Sequence, residues 1–538
     1  MMKLSMGLRI AFTFGVMAAV FAIPAFAETP TLVVTLKSID EILDDADFIG
    51  ESFGQSGLKT LAEQNLEGVT GGAGLAGIDR TRGLGFYWSM NGDNAADLAN
   101  LVGFLPISDQ DEFEALVRKF VPDLKAEDDQ WSIDLNGQPL FAKFANDYCY
   151  ISTSADTLDE LAEPDEITNE DYDIAIEVNL ASIPVEAKSQ YLDIVEQGAR
   201  KSQEDDPEPK NEAEARGREL GLEWMLAVVK SITNDGNLLT FGLDVNRETG
   251  MGSVDLELTS TPKTELAAAL LAYQKLKPAF AQAVSDDAPL RLVISHPTTG
   301  LLGKLNELFS AMRKTAEAEI EKDERLKDDA DKKAARDIAT RLFNIAEATL
   351  KSGALHSVLG VEEGDDHTAR IVAGTRVAKG DDAGKLLDDI MKFSKESPEL
   401  AKVKPDVAKH AGARIHAIEP DANDKQTALF GTDPAHLAIR ADSLWVAIGG
   451  GNLDALKKAL DLSGKKPAAT EVPISLHVKP AALVLVMERD DQKLIERAKS
   501  IAGTPGDVLK FELSPNEDLG IKAALEFGID LFKLAGDN

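Results

Sequence analysis

The chain has 538 residues, of which 44% are hydrophobic and 28% charged, a composition typical of a globular protein with two or three domains. Asp and Glu total 92 against 57 Lys and Arg, so the net charge is -35. This excess of negative charge argues against nucleic-acid binding and against attachment to an anionic membrane through a basic patch. The one cysteine excludes a disulfide within the chain.

The first 27 residues have the pattern of a bacterial secretory signal peptide. Lys3 and Arg9 make the start positive, residues 10–23 are apolar, and Ala25-Phe26-Ala27 matches a signal-peptidase site. The apolar run is shorter than the roughly 20 residues that a membrane-spanning helix needs. We therefore predict a signal peptide at 1–27, cleaved near Ala27, a mature protein in the periplasm or outside the cell, and no membrane span in the mature chain.

An internal duplication is the most informative feature of the sequence. Five segments recur in the same order: Leu32-Val33-Val34 with Leu292-Val293-Ile294, 99–107 with 369–377, Tyr150-Ile151-Ser152 with Trp445-Val446-Ala447, 174–178 with 474–478, and 239–243 with 509–513. The spacing between matched segments shortens before the last pair, so the first copy holds an insertion there. The charged, proline-broken segment 204–210 belongs to it and is predicted as a surface loop between two helices. These matches predict two tandem similar domains, at 28–285 and 286–538.

The strand patterns favour the α+β fold class. Segments 132–135 and 254–258 alternate polar and apolar residues, and Asn136-Gly137 favours a tight hairpin turn. Such alternation is typical of an antiparallel sheet that has one apolar face. We therefore predict that each domain is a mainly antiparallel sheet covered by helices on one face.

Two helical segments each allow two interpretations. Segment 310–350 is dense in charge, with pairs such as Glu321 and Arg325 at i, i+4. It is either a solvated helical hairpin beside the sheet or a partner-binding or coiled-coil arm. Segment 264–283 is rich in Ala and Leu, so it either lines a concave apolar binding site or belongs to the core.

Two glycine-containing segments match the sequence patterns of known catalytic or cofactor-binding sites. Residues 50–54 match the G-x-S-x-G elbow of serine hydrolases, which needs a strand before the serine. Residues 72–77 match G-x-G-x-x-G, which binds a dinucleotide only between a strand and a long helix. The pattern before residue 50 is helical, and another strand begins at Leu84. We interpret the first motif as a glycine turn at a helix end and the second as a glycine loop.

Metal and thiol chemistry find little support in the sequence. All seven histidines lie in the second copy: His296, His356, His367, His410, His416, His436 and His477. No pair of them has the spacing of a zinc site, and the acidic runs 44–47 and 204–206 do not fit an EF-hand loop. Cys149 lies in an apolar, strand-like run and is predicted to be buried and unreactive. We assign no catalytic, cofactor-binding or metal-binding residue, and no cofactor.

These observations favour a non-enzymatic binding or interaction protein of the periplasm or the outside. Its partner is an unknown protein or a small apolar ligand, because an antiparallel sheet curled around helices can form a concave apolar surface. Two alternatives stay open. One is a structural protein of the envelope, and the other is a hydrolase without a recognisable motif, whose cleft would hold ionisable groups with perturbed pKa values.

Overall fold

The structure is a computed structural model that describes residues 30–90, 100–127, 130–135, 138–204, 206–209, 211–298, 302–323, 326, 328–393, 403–420, 424–466, 468, 471–516 and 519–535. The predicted signal peptide and the predicted turn residues Asn136 and Gly137 lie outside the described residues. The chain divides into two compact units. The first unit consists of Met1–Asp205, Leu226–Ala267 and Asp518–Gly520, and the second of Asp206–Met225, Ala268–Glu517 and Ile521–Asn538.

Ten strands and seven helices form in the described chain up to Lys275. In order they are β1 Leu32–Leu36, α1 Ile39–Ser52, α2 Leu58–Val69, β2 Leu84–Trp88, β3 Leu101–Pro106, α3 Gln110–Phe120, β4 Lys125–Glu127, β5 Gln130–Leu135, β6 Gln138–Ala145, β7 Tyr148–Ser152, α4 Pro164–Ile167, β8 Ile174–Asn179, α5 Val185–Glu204, α6 Glu212–Asp235, β9 Gly236–Asn246, β10 Met251–Ser260 and α7 Glu265–Lys275. Within the first unit the strands pair in the order β4-β5-β6-β7-β3-β2-β1-β8-β9-β10, and every pair is antiparallel.

The described chain after Lys275 forms ten strands and eight helices. In order they are β11 Leu290–Pro297, α8 Leu302–Lys322, α9 Asp329–Leu350, β12 Ala354–Glu363, β13 Ala369–Arg376, α10 Gly380–Phe393, β14 Val403–His410, β15 Ala413–Ile418, α11 Asp424–Phe430, β16 Ala435–Arg440, β17 Ser443–Ile448, α12 Asn452–Leu462, β18 Ile474–Val478, α13 Pro480–Met487, α14 Gln492–Ile501, β19 Leu509–Asn516, β20 Gly520–Gly528 and α15 Phe532–Ala535. The pairing order is β14-β15-β16-β17-β13-β12-β11-β18-β19-β20. The protein therefore combines helices with extensive antiparallel sheet, and the prediction of a mixed helix-and-strand fold with a mainly antiparallel sheet is confirmed.

The strands of the two units follow the same pairing order, each strand of the second matching the strand ten places earlier in the chain. Their registers correspond as well. Phe104 lies opposite Tyr150 in the first unit, and Gly374 lies opposite Trp445 in the second. Further pairs agree in the same way: Ile176 with Phe241 and Leu476 with Phe511, and Leu32 with Val178 and Leu290 with Val478. In the first strand, Leu290 rather than Leu292 therefore takes the place of Leu32.

Both faces of the sheet carry a core in the first unit, so the prediction of helical cover on one face is wrong. Tyr148 and Tyr150 of β7 pack against Leu158, in the segment that leads into α4. The intervening Cys149 points to the opposite face, where it packs with Phe113 of α3 and Trp131. Since neighbouring residues of a strand point to opposite faces, a strand that is apolar at every position must be covered on both.

The second unit is also covered on both faces. On one face, Trp445 packs with Leu456 of α12. On the other, Ile439 packs with Ile345 of α9 and Leu386 of α10. Apolar residues of these strands thus pack against helices on both faces of the sheet.

Segment 310–350 forms a helical hairpin of α8 and α9, as one of the two interpretations predicted. Glu321 near the end of α8 forms ion pairs with Lys332, at 3.4 Å, and with Arg336 of α9. Arg325, the expected partner of Glu321, lies outside the described residues. Because Ile345 of α9 is part of the core, this hairpin flanks the sheet.

Segment 264–283 contributes buried apolar residues to the core and is not one long helix. Helix α7 ends at Lys275 because Pro278 cannot continue a helix. Phe280 then adopts a left-handed conformation, with φ of 67°. Its ring packs edge-on against Trp445, with 5.1 Å between the ring centroids. The core interpretation of this segment is therefore confirmed.

No described helix is both long enough and apolar enough to cross a membrane.

Candidate functional site

The serine of the G-x-S-x-G match has no elbow geometry. Ser52 is the last residue of helix α1, and Phe53 caps that helix by donating its N–H to the carbonyl of Gly50. Gly54 follows in the left-handed region, with φ of 74°. Because a helix precedes the serine where a hydrolase needs a strand, this segment is a helix end.

The G-x-G-x-x-G match is a loop between a helix and a strand. Helix α2 ends at Val69 before the loop, and strand β2 begins at Leu84 after it. Gly77 has φ of 78°, and a Cβ there would lie 2.3 Å from the backbone nitrogen of Phe113. The glycine is therefore required by close packing against α3, and the order of elements is the reverse of that in a dinucleotide site.

Ser295 and His356 form the one serine–histidine hydrogen bond among the described residues. The Ser295 hydroxyl lies 2.8 Å from Nδ1 of His356, and the backbone N–H of Ala279 also donates to that nitrogen, at 3.4 Å. Ser295 is 0% exposed and His356 5%. Burial, reinforced by the positive charge of Arg376, lowers the pKa of His356 to about 4. The ring is thus a neutral hydrogen-bond acceptor in the core, and no substrate reaches the serine.

The low pKa of His356 predicts that acid weakens the second unit. The unfolded chain takes up a proton near the ordinary pKa of 6.5, whereas the folded chain does so only near 4. Folding stability from this group is therefore complete above pH 6.5 and is lost as the pH falls toward 4. Between pH 7 and pH 5 the loss is about 2 kcal/mol. In His356→Gln, which keeps an acceptor for Ser295 but does not titrate, urea unfolding should show a correspondingly flatter pH dependence.

His367→Gln is the matched control for this measurement, because the His367 side chain is 94% exposed. Its replacement should change the free energy of unfolding by no more than about 0.5 kcal/mol, as for other surface substitutions. Equal pH profiles for wild type and His356→Gln would show that the buried ring does not oppose protonation.

Two further histidines are buried polar members of the core. His416 on β15 is 0% exposed and accepts a hydrogen bond from the backbone N–H of Asp406 at 3.2 Å. Nδ1 of His436 donates to Asn452, whose amide group donates to the carbonyls of Pro434 and Gly449. Asn452 is the first residue of α12, and Gly451 takes the N-cap position of that helix. These rings hold strands and loops together.

Cys149 is a buried, unreactive thiol, as predicted. It is 1% exposed, on β7, and burial raises its pKa to about 12. At neutral pH it is therefore fully protonated and a poor nucleophile.

The acidic residues of the run 44–47 point in two directions, some toward solvent and Asp45 toward the interior. Ser38 caps α1 by accepting from the backbone N–H of Glu41, which fixes where the helix begins. Asp44 then pairs with Lys59 at 2.5 Å, and Asp47 accepts from the backbone N–H of Leu58 at 2.7 Å. Asp45 faces inward and is 6% exposed. The spacing of Glu41 and Asp45 at i, i+4 was the available signal that they share a helix face.

Three carboxylates meet at this inward face, two from helix α1 and one from the residue before β8. Each of Glu41, Asp45 and Asp173 offers an oxygen, and these oxygens lie within 4.8 Å of one another. Asp173 directly precedes β8, which pairs with β1, and its carbonyl accepts from the N–H of Lys37 at 2.9 Å. Its carboxylate also accepts from the N–H of Val245 at 2.6 Å. The antiparallel pairing of β1 and β8 therefore brings Asp173 beside helix α1.

Cations only partly balance these carboxylates. Arg247 pairs with Glu41, lies 3.3 Å from Asp45, and lies 3.5 Å from Asp44. Lys37 lies 3.7 Å from Asp173. Burial and the charge of Asp173 raise the pKa of Asp45 to about 7.

A separate, open cleft of about 780 Å³ lies in the second unit between helices α9 and α10. Its lining is Ala334, Asp337, Ile338, Thr340, Arg341, Asn344, Lys379, Asp382, Asp389 and Lys392. Six of these ten residues are charged, with both signs present. Asp389 pairs with Arg341 at 3.2 Å and with Lys392 at 3.8 Å. Such a lining suits hydrogen-bonding and ionic contacts with a polar partner.

Comparison of the chain with models of protein families, with curated proteins and with solved structures gives no match in any of the three, so fold and site chemistry carry the functional argument.

Proposed function

We propose that this protein is a secreted, non-enzymatic interaction protein, built from two copies of one α+β repeat, that binds another protein. The charged cleft between α9 and α10 carries the proposal. An acyl chain needs a lining that is mainly apolar, whereas a polypeptide with charged and amide groups matches mixed charges and polar side chains.

The shared strand order of the two units supports the proposed duplication. Ten strands pairing in the same order, with corresponding registers at several positions, is more than a common preference for antiparallel pairing accounts for. The longer α5 and α6 of the first copy replace the shorter α13 and α14 of the second, in agreement with an insertion between the matched segments.

The chemistry of the described residues supports a role without catalysis. Ser295 and His356 are both buried, and the charge that acts on His356 is that of Arg376 rather than of a carboxylate. A nucleophile needs access to substrate and a base oriented by a third group. Secretion rests on the pattern of residues 1–27.

Site-specific photo-crosslinking in intact cells tests the proposal. A benzophenone amino acid replaces Thr340, which is exposed at the rim of the cleft. Irradiation should give a discrete crosslinked product with another protein. Arg341→Glu combined with Lys392→Glu should reduce its yield, because both cations are exchanged for anions.

The same photoreactive residue at Lys465, an exposed position of the second unit away from the cleft lining, is the matched control. It should give no such product. Equal crosslinking from positions 340 and 465, or a product unaffected by charge reversal, would contradict the cleft as the binding site.

A further inference from the structure

The three carboxylates beside helix α1 carry an inference that goes beyond the proposed interaction. Asp45 and Asp173 are buried, with 6% and 3% of their surface exposed. The side chain of Glu41 is 38% exposed, so the group opens to solvent on one side. A small cation could therefore enter from the side of Glu41 and contact the enclosed carboxylate oxygens of Asp45 and Asp173.

The carboxylate of Asp45 provides a second, independent observation. Both of its oxygens are buried, yet neither has a hydrogen-bond partner. Arg247 lies 3.3 Å from one of these oxygens, without hydrogen-bond geometry. The same guanidinium also forms ion pairs with Glu41 and Asp44. A buried carboxylate ordinarily has its oxygens satisfied by donors or by a metal ion, because desolvation without a partner is costly.

We propose that Glu41, Asp45 and Asp173 bind a calcium ion. Three carboxylates supply three to six of the six to eight oxygen ligands that calcium takes, and water reaching the site past Glu41 completes the shell. Carboxylate oxygens are hard ligands, which favours this ion over zinc, and no histidine or cysteine belongs to the group. The positive charge of a calcium ion, added to that of Arg247, also offsets the excess negative charge of the carboxylates.

The second unit has no carboxylate at the position that corresponds to Asp173. Ile174 and Ile474 hold the same register position, opposite Leu243 and Leu513. The residue before Ile174 is Asp173, whereas the residue before Ile474 is Pro473. One ion per chain is therefore expected.

Calorimetric titration of the purified chain with calcium chloride, after removal of metals by a chelator, tests the site. Wild type should bind one equivalent, with a Kd on the order of 10⁻⁴ to 10⁻³ M, the range of extracellular calcium modules. Asp45→Asn should weaken binding by at least about tenfold, because it removes an anionic ligand from the enclosed side. Glu41→Gln should weaken it too, and calcium should raise the Tm of wild type but not of these variants.

Asp47→Asn is the matched control. It removes the same charge from the same helix, and its amide oxygen can still accept from Leu58. It should bind calcium as wild type does. Absence of binding by wild type, or equal weakening by Asp47→Asn and Asp45→Asn, would overturn the site and indicate only diffuse attraction to an acidic surface. Should Asp45→Asn misfold, as judged by circular dichroism, Glu41→Gln decides. Neither outcome bears on the crosslinking test, whose cleft is formed by other residues.

Discussion

Replacement of Trp445 by alanine is expected to lower the free energy of unfolding by about 3–5 kcal/mol. Trp445 is 0% exposed and stacks edge-on against Phe280. Gly374 lies directly beneath its ring, where a Cβ would come within 2.4 Å. The indole N–H has no hydrogen-bond partner, so the loss is one of packing. Hydrogen exchange, measured on peptides from β13 and β17, should report faster opening of both strands.

Trp224→Ala is the control, because Trp224 on α6 is 48% exposed. Its effect should stay within about 0.5 kcal/mol, as for other surface substitutions. Similar losses in the two variants would contradict the placement of Trp445 at the centre of the second unit's core.

Glu471→Gln is expected to cost about 3–5 kcal/mol, because it leaves a buried guanidinium without its buried partner. Arg291 on β11 is 2% exposed, and Glu471 lies 2.7 Å from it with 9% of its side chain exposed. The same guanidinium donates to the carbonyl of Ala281 at 3.0 Å. Denaturant unfolding should therefore show a large loss, and exchange in β11 should accelerate.

Asp286→Asn provides the matched comparison on the same arginine. Asp286 lies 3.1 Å from Arg291, but its side chain is 80% exposed. An exposed partner contributes about 0–1 kcal/mol. An Asp286→Asn effect as large as that of Glu471→Gln would show that the ion pair with Glu471 is not the one that holds Arg291.

The strands could be predicted from the sequence because their apolar alternation is local. β5 and β10 contain the segments 132–135 and 254–258, where period-two patterns indicated strands. The pairing of β1 with both β2 and β8 could not be predicted, since it joins residues that are far apart in the chain. Cover on both faces was missed at β7, where apolar residues occur at consecutive positions.

The candidate sites were harder to predict than the strands. The sequence alone does not distinguish the aspartates of the run 44–47 from one another. Asp45 faces the interior because Ser38 fixes where helix α1 begins. Asp173 enters the group through strand pairing, which the sequence does not display. Pro278 indicates that helix α7 ends before it. The Ala and Leu content of segment 264–283 instead favoured a longer helix, so this end was not predicted.

Side-chain sizes differ in a paired way at corresponding positions of the two units. Phe104 lies opposite Tyr150 in the first unit, and at the corresponding positions Gly374 lies opposite Trp445. The small residue makes room for the larger ring, so both cores are filled. A comparison of residue types does not reveal that these positions correspond, because the residues differ. The register of the paired strands does reveal it.

Native mass spectrometry of the protein isolated from its own cells, before and after extraction with organic solvent, distinguishes binding of a protein from carriage of an apolar ligand. We expect the mass of the chain, alone or with a protein partner and any bound metal ion, and we expect extraction to remove no small molecule. A stoichiometric extra mass that organic extraction removes would contradict the proposed binding of a protein and identify the chain as a carrier of an apolar ligand.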